Sequence, residues 1–387
     1  MAGTAGSGKT TLGRAVARSV GAALLDLDTV TNPLLDELAP VLPGDHWLSS
    51  PVAAEIRRGR YAALRATAAD VLAGGVPVVL VAPFTAELRG GVEWRELLAA
   101  LAPHQPTVLH LDGPDDVLAA RRAVRGASRD AFRSNVSSTA RPLVPHVRVD
   151  VLLSPAQQLF RARQALGLRA PVPASELFQL EFSGFLFDLD GTLVDSTPAV
   201  LRAWARLAME FGFPLDVVQD NHGRPARPLL AELLPPDRVD VALARVLEFE
   251  NTDVDDVVPT PGAVDLLAAL PPERVALVTS GRRSVVRARL AAAGMAAPAV
   301  TVTRDDVTEP KPHPEPYLAG AAALGLDAAD CLAVEDAPAG IRSARAAGCR
   351  VLAVRGTVDD ADLVGADLVV DSLDQLTLVA GRLTPRL

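Results

Sequence analysis

Lysine is almost absent from this chain of 387 residues. Only Lys9 and Lys311 are lysines among 38 basic residues; the others are arginine. Arginine replaces lysine freely on a solvated surface, but not where a compact ammonium must meet a phosphate oxygen. The two surviving lysines therefore mark two candidate phosphate-handling centres, one near each end. Cysteine is equally scarce. Cys331 and Cys349 are too few for a disulfide framework and lack metal-ligand spacing, so both are expected to pack as small apolar residues. No run of 18 uncharged apolar residues and no apolar leader segment occurs, which argues against a membrane partner and makes cytoplasmic residence the expectation. There is no internal repeat and no low-complexity tract.

Acidic charge is lacking in one half only. Residues 1–168 carry 18 basic and 15 acidic residues, whereas residues 169–387 carry 20 and 32. The acidic excess of the second half argues against nucleic acid as its partner. An anionic substrate there must be held by local donors and a cation.

Strand-like apolar runs alternate with helical stretches, the pattern of parallel α/β architecture. The reading is two doubly wound parallel-sheet domains. The first spans residues 1–167, with strands near Ala22–Leu27, Val76–Ala82, Val108–Leu111 and Val147–Leu152. Residues 168–182, rich in proline, read as a linker. The second domain spans 183–387, with strands near Phe185–Leu189, Val275–Thr279, Ala299–Val302, Leu332–Glu335, Val351–Val354 and Leu368–Val370. A mostly helical insert occupies about 197–258.

Residues 3–10, GTAGSGKT, satisfy the phosphate-loop pattern G-x-x-x-x-G-K-[ST]. Gly3, Gly6 and Gly8 let backbone N–H groups turn inward around phosphates. Lys9 would reach the β- and γ-phosphates of ATP, Thr10 would ligate Mg²⁺, and Thr11, opening the helix behind the loop, joins them in binding the nucleotide. Only Met1 and Ala2 precede Gly3, so the first strand of this sheet is expected to be missing and the start codon to lie further upstream. This half resembles the small P-loop kinases of the gluconate- and shikimate-kinase type. The resemblance implies that Asp26 or Asp28 contacts Mg²⁺ or the acceptor hydroxyl. It also implies a lid helix carrying Arg121, Arg125 and Arg129, with Arg133 on the same face; a plain surface helix explains these arginines equally well. The strand at 76–84 ends without an acidic Walker B residue.

The strongest signal is GFLFDLDGTLVDS, residues 184–196. A strand delivers Asp188 and Asp190 to its end and Gly191 turns the chain; the glycine comes too early for a calcium loop. VALVTSG (275–281), EPKPHPEPY (309–317) and LAVEDAPAGIRSARAAG (332–348) follow in order. Together these motifs resemble the haloacid dehalogenase superfamily, and within it the sugar- and polyol-phosphatase branch. The resemblance implies that Asp188 is the nucleophile that forms an aspartyl-phosphate, and that Asp190 is the acid and then the base. It implies Mg²⁺ held by Asp188, the Asp190 carbonyl and Asp336, with Glu335 orienting a metal-bound water. Lys311, Thr279, Ser280 and Gly281 would hold the phosphoryl oxygens. The insert resembles the small helical cap of this superfamily, whose His-Gly motif would here be His222, Gly223 and Arg224, facing the substrate. Pro225 and Pro228 depart from a continuous cap helix.

The leading expectation is a Mg²⁺-dependent phosphatase of a small sugar or polyol phosphate ester, fused to an ATP-binding kinase-like domain. Two alternatives stay open: a phosphomutase built on the same core, and a phosphatase regulated by a nucleotide-sensing P-loop module. A kinase and a phosphatase acting at once on one position of one metabolite would merely hydrolyse ATP, so either the substrates or positions differ or one half restrains the other; sequential steps are preferred.

Overall fold

The computed structural model describes residues 1–43, 47–125, 141–214, 226–379 and 382–386. They divide into two units, Met1–Leu168 and Arg169–Leu387.

Short runs of two to four residues make the strands of the first unit. These are β1 (Ala2–Gly3), β2 (Ala23–Asp26), β3 (Val78–Val81), β4 (Leu109–Asp112) and β5 (Val147–Asp150), and all their pairings are parallel. The first strand, expected to be missing, is present in shortened form. Ala2 and Gly3 pair with His110 and Leu111 of β4. Met1 continues it on the other side: its amine donates to the Leu80 carbonyl at 2.7 Å and its carbonyl accepts from Ala82 at 3.3 Å. Burial pulls that amine down to about 5. Beside Met1 lies an apolar cavity of about 510 Å³ between the flanks of β3 and β4, lined by Val78, Leu80, Thr107 and Leu109 among others. Helix Lys9–Val20 opens directly behind the glycine loop, with Gly8 at its N-cap in the left-handed region (φ 86°).

The second unit is built on a six-stranded parallel sheet. Its strands are β6 (Gly184–Phe187), β9 (Val275–Val278), β10 (Val300–Val302), β11 (Cys331–Glu335), β12 (Arg350–Val354) and β13 (Leu368–Val370), in the order β10-β9-β6-β11-β12-β13. Strands β6, β9 and β11 are buried at every position, as strands covered on both faces must be. Cys331 and Cys349 pack into the same core. The chain leaves β6 for one flank of the sheet and reaches the other flank later, so the crevice at the carboxyl ends of β6, β9 and β11 is a topological switch point.

The described residues of the insert are mostly helical. Helix Thr197–Phe211 has proline at its start, a left-handed Gly212 at its end, and buries Leu201, Trp204, Leu207 and Ala208 along one stripe. Helices Ala226–Leu233 and Pro236–Thr252 complete the described part of the cap. Pro236–Thr252 packs on both other cap helices and on helix Arg283–Ala292 of the core. The cap's two connections pair with each other: β7 (Val194–Asp195) runs antiparallel to β8 (Val258–Pro259).

Two features depart from the sequence reading. Of residues 168–182, read as linker, all but Leu168 belong to the second unit. Leu177 and Phe182 are buried in its core, and the Ala170 amide donates to Asp371 at 2.6 Å. Prolines break periodicity without preventing burial, which is why the segment looked unattached. A terminal hairpin, β14 (Leu376–Val379) with β15 (Arg382–Pro385), was also not anticipated; it adds Leu376 and Leu383 to the core.

Candidate active site

The sheet delivers the acidic residues by its own geometry. β6 ends just before Asp188, and the turn that follows needs Gly191, whose φ is 83°. A Cβ there would stand 1.9 Å from Asp336 Oδ2 and 2.3 Å from Thr357 Oγ1. β11 ends on Glu335, with Asp336 next in the chain. Asp188, Glu335 and Asp336 thus converge, with oxygens within 4.8 Å of one another and all three side chains buried.

Lys311 enters from the loop after β10. Its ammonium, 4% exposed, donates to Asp188 Oδ1 at 2.6 Å, to Glu335 Oε1 at 2.6 Å and to the Val278 carbonyl at 2.9 Å. Burial works against its charge, but Asp188 and Glu335 outweigh that and raise its pKa above the ordinary lysine value. Burial pushes Asp188 up to about 7; Lys311 opposes this, while Glu335 and Asp190 add to it. Asp336 is raised well above the carboxylate range, by burial first and then by Asp188 and Glu335. Thr279 is buried at the end of β9, and its hydroxyl accepts from the Gly281 amide at 3.0 Å. Ser280, Gly281 and Thr279 all line the crevice with Asp188, Asp190 and Lys311.

The three carboxylates outnumber the single lysine, and together they could hold a cation. Asp336 Oδ2 is buried with no hydrogen-bond partner among the described residues, and a Cβ at position 191 would stand 1.9 Å from it. An all-oxygen, all-carboxylate donor set suits a hard divalent ion such as Mg²⁺. Asp190 is not part of this carboxylate trio. Its Oδ1 accepts from Ser196 at 2.6 Å and its Oδ2 from Arg289 at 2.6 Å.

Several of these partners were not legible in the sequence. Tyr317 is fully buried and donates to Glu335 Oε1 at 2.6 Å. Arg289 comes from a core helix and Glu250 from the cap. His222, Gly223 and Arg224 lie outside the described residues. The cavity over the site, about 410 Å³, is walled by Leu201, Trp204, Leu229 and Leu247 of the cap.

In the first unit Lys9 donates to the Thr4 carbonyl at 2.6 Å, and Thr10 to Asp26 Oδ2 at 2.7 Å. Asp26 also caps the helix Leu27–Leu38, whereas Asp28 pairs with Arg60 at 2.7 Å. Asp26 is thus set beside the loop by Thr10, while Asp28 is held by Arg60. Arg121 and Arg125 lie on helix Asp115–Arg125, and Arg129 and Arg133 lie outside the described residues. Among the described residues, Arg122 touches the loop, donating to the Ala5 carbonyl at 3.2 Å. Thr11 is exposed on the first turn of its helix.

Residues 182–348 match the family model for haloacid dehalogenase-like hydrolases. Over 201 residues the chain is 45% identical to hexitol phosphatase A of Escherichia coli, covering 50% of this chain and 93% of that protein. The chain belongs to the haloacid dehalogenase-like hydrolases. Other members it resembles are glycerol-1-phosphate phosphohydrolase 2 of Saccharomyces cerevisiae, 32% identical over 51% of this chain and 85% of that one, and 2-deoxyglucose-6-phosphate phosphatase 1 of the same yeast, 31% identical over 50% and 89%. Unlike these half-length matches, this hydrolase carries a further unit, whose residues 1–141 match an AAA domain model.

Proposed function

We propose that the second unit hydrolyses a small sugar or polyol phosphate through an aspartyl-phosphate on Asp188, with Mg²⁺, and that the first unit binds ATP as a small-molecule kinase. The observation that carries the phosphatase reading is the Lys311 ammonium held at 2.6 Å from Asp188, inside a buried carboxylate trio. The similarity to hexitol, glycerol-1-phosphate and 2-deoxyglucose-6-phosphate phosphatases supports the substrate class.

In this reading an Asp188 oxygen attacks phosphorus and the bond to the leaving oxygen breaks. Asp190 gives its proton to that oxygen, releasing the alcohol. Water then attacks the aspartyl-phosphate, Asp190 takes its proton, and inorganic phosphate departs with Asp188 restored. Lys311 and the Thr279 hydroxyl stand where charge develops on the phosphoryl oxygens. Asp188, Asp336 and the Asp190 carbonyl would hold Mg²⁺, with Glu335 beside them. The ion would offset the repulsion between a carboxylate and a phosphate dianion. The cap walls would read the alcohol.

The test is phosphate release across hexose, pentose, polyol and nucleoside phosphates. Chelation of divalent ions is expected to stop release. Adding Mg²⁺ at about 100 times its Kd should stabilise the second unit by about 2.7 kcal/mol against urea. Release that persists in chelator would defeat the metal assignment. For the first unit, ATP is expected to raise the unfolding temperature of the wild-type chain but not of Lys9→Met; an equal rise in both would remove the loop from nucleotide binding.

A further inference from the structure

Arg289 lies on helix Arg283–Ala292 of the core, and its side chain is 4% exposed. Burying a guanidinium is costly unless it is paired. One arm, Nη1, sits 2.6 Å from Asp190 Oδ2; the other, Nη2, sits 3.7 Å from Glu250 Oε2. Glu250 belongs to the cap helix Pro236–Thr252, and its side chain is only 17% exposed. A line of contacts thus runs from the cap through one arginine to Asp190. Both carboxylate oxygens of Asp190 are engaged, Oδ1 by Ser196 at the cap's entry and Oδ2 by Arg289. Arginine only donates and stays charged, so it can orient this carboxylate without competing for its proton.

We propose that Arg289 is the positioning residue for Asp190, setting its carboxylate from the core and taking its own place from Glu250 of the cap. The proton donor is then placed for transfer only where the cap supplies Glu250. This rests on the phosphatase reading in which Asp190 is the acid and base.

The experiment compares kcat/KM of the full chain, with Mg²⁺, for the best alkyl phosphate and for p-nitrophenyl phosphate. An alkoxide needs a proton as it leaves, whereas p-nitrophenolate does not. General acid catalysis contributes about 10²–10⁴-fold, so Arg289→Lys should lower kcat/KM for the alkyl ester about 100-fold, and Glu250→Gln about 10-fold. Values for the aryl ester should change by no more than about threefold. Its kcat should fall, with a burst of p-nitrophenolate, because Asp190 must still take the water proton in the second step. Equal losses of kcat/KM on both esters, or no loss on the alkyl ester, would overturn the proposal. Glu250→Gln keeps the size of the side chain and carries the test if Arg289→Lys fails to fold. Wild-type protein inactive on both esters would instead overturn the phosphatase reading, and this inference with it.

Discussion

Asp188→Asn is expected to lower phosphate release by on the order of 10⁴-fold or more, since asparagine cannot form the covalent intermediate. The fold should survive. Asparagine has the same shape and still accepts from Lys311, which keeps Glu335 at 2.6 Å. Thermal unfolding of the metal-free protein gives the sign of the charge effect. The folded-state pKa of Asp188 is raised from 3.8 to about 7. The stability this group contributes is therefore fully present below about 3.8 and lost as pH rises through about 7. Asparagine has no proton to lose there, so the variant should match wild type at pH 4 and exceed it at pH 8. Release above about 1% of wild type would place the nucleophile elsewhere.

Gly340→Ala should unfold the second unit more easily, against the usual gain of alanine in a helix. That gain is about 1 kcal/mol. Here a Cβ would stand 1.7 Å from Glu335 Oε1 and 1.9 Å from its carboxyl carbon. Glu335 would have to move, parting from Lys311 and Tyr317, each at 2.6 Å. Breaking a buried ion pair costs about 3–5 kcal/mol, leaving a net loss of about 2–4 kcal/mol and a misplaced Lys311. Gly59 is the control. It lies mid-helix in Ala53–Ala73 with nothing within 4 Å of its would-be Cβ, so Gly59→Ala should gain about 0.5–1 kcal/mol. Urea denaturation separates the two, and equal gains would show that Glu335 has room to shift.

The parts of the site that could be read from sequence are those the backbone itself presents. Asp188, Asp190, Glu335 and Asp336 sit at or just past strand ends, where the run of apolar residues stops and charge begins, so local pattern finds them. Lys311 stood out by composition. Arg289 and Glu250 did not, because each lies on an ordinary charged helix in a chain full of arginine. Only packing of the cap helix against the core helix joins them, across 39 positions of sequence. Arg122 is hidden for a related reason: spacing by four selects Arg121 and Arg125, whereas the Ala5 carbonyl accepts from Arg122. Burial of Leu177 and Phe182 is hidden because Pro171 and Pro173 interrupt the segment that leads to them, and β1 is hidden by its length of two residues.

The pairing of β7 with β8 has a bearing on how such a protein diversifies. The excursion that begins after Asp195 returns at Val258, opposite its own starting point. Everything between is a closed detour, inserted at one place in a sheet that does not need it for its own pairing. The residues at the sheet's rim and the walls above them can therefore change at different rates. A graft that exchanges the detour at this joint should carry a new preference for the alcohol onto an unaltered phosphoryl-handling base, provided the incoming segment supplies its own carboxylate for Arg289.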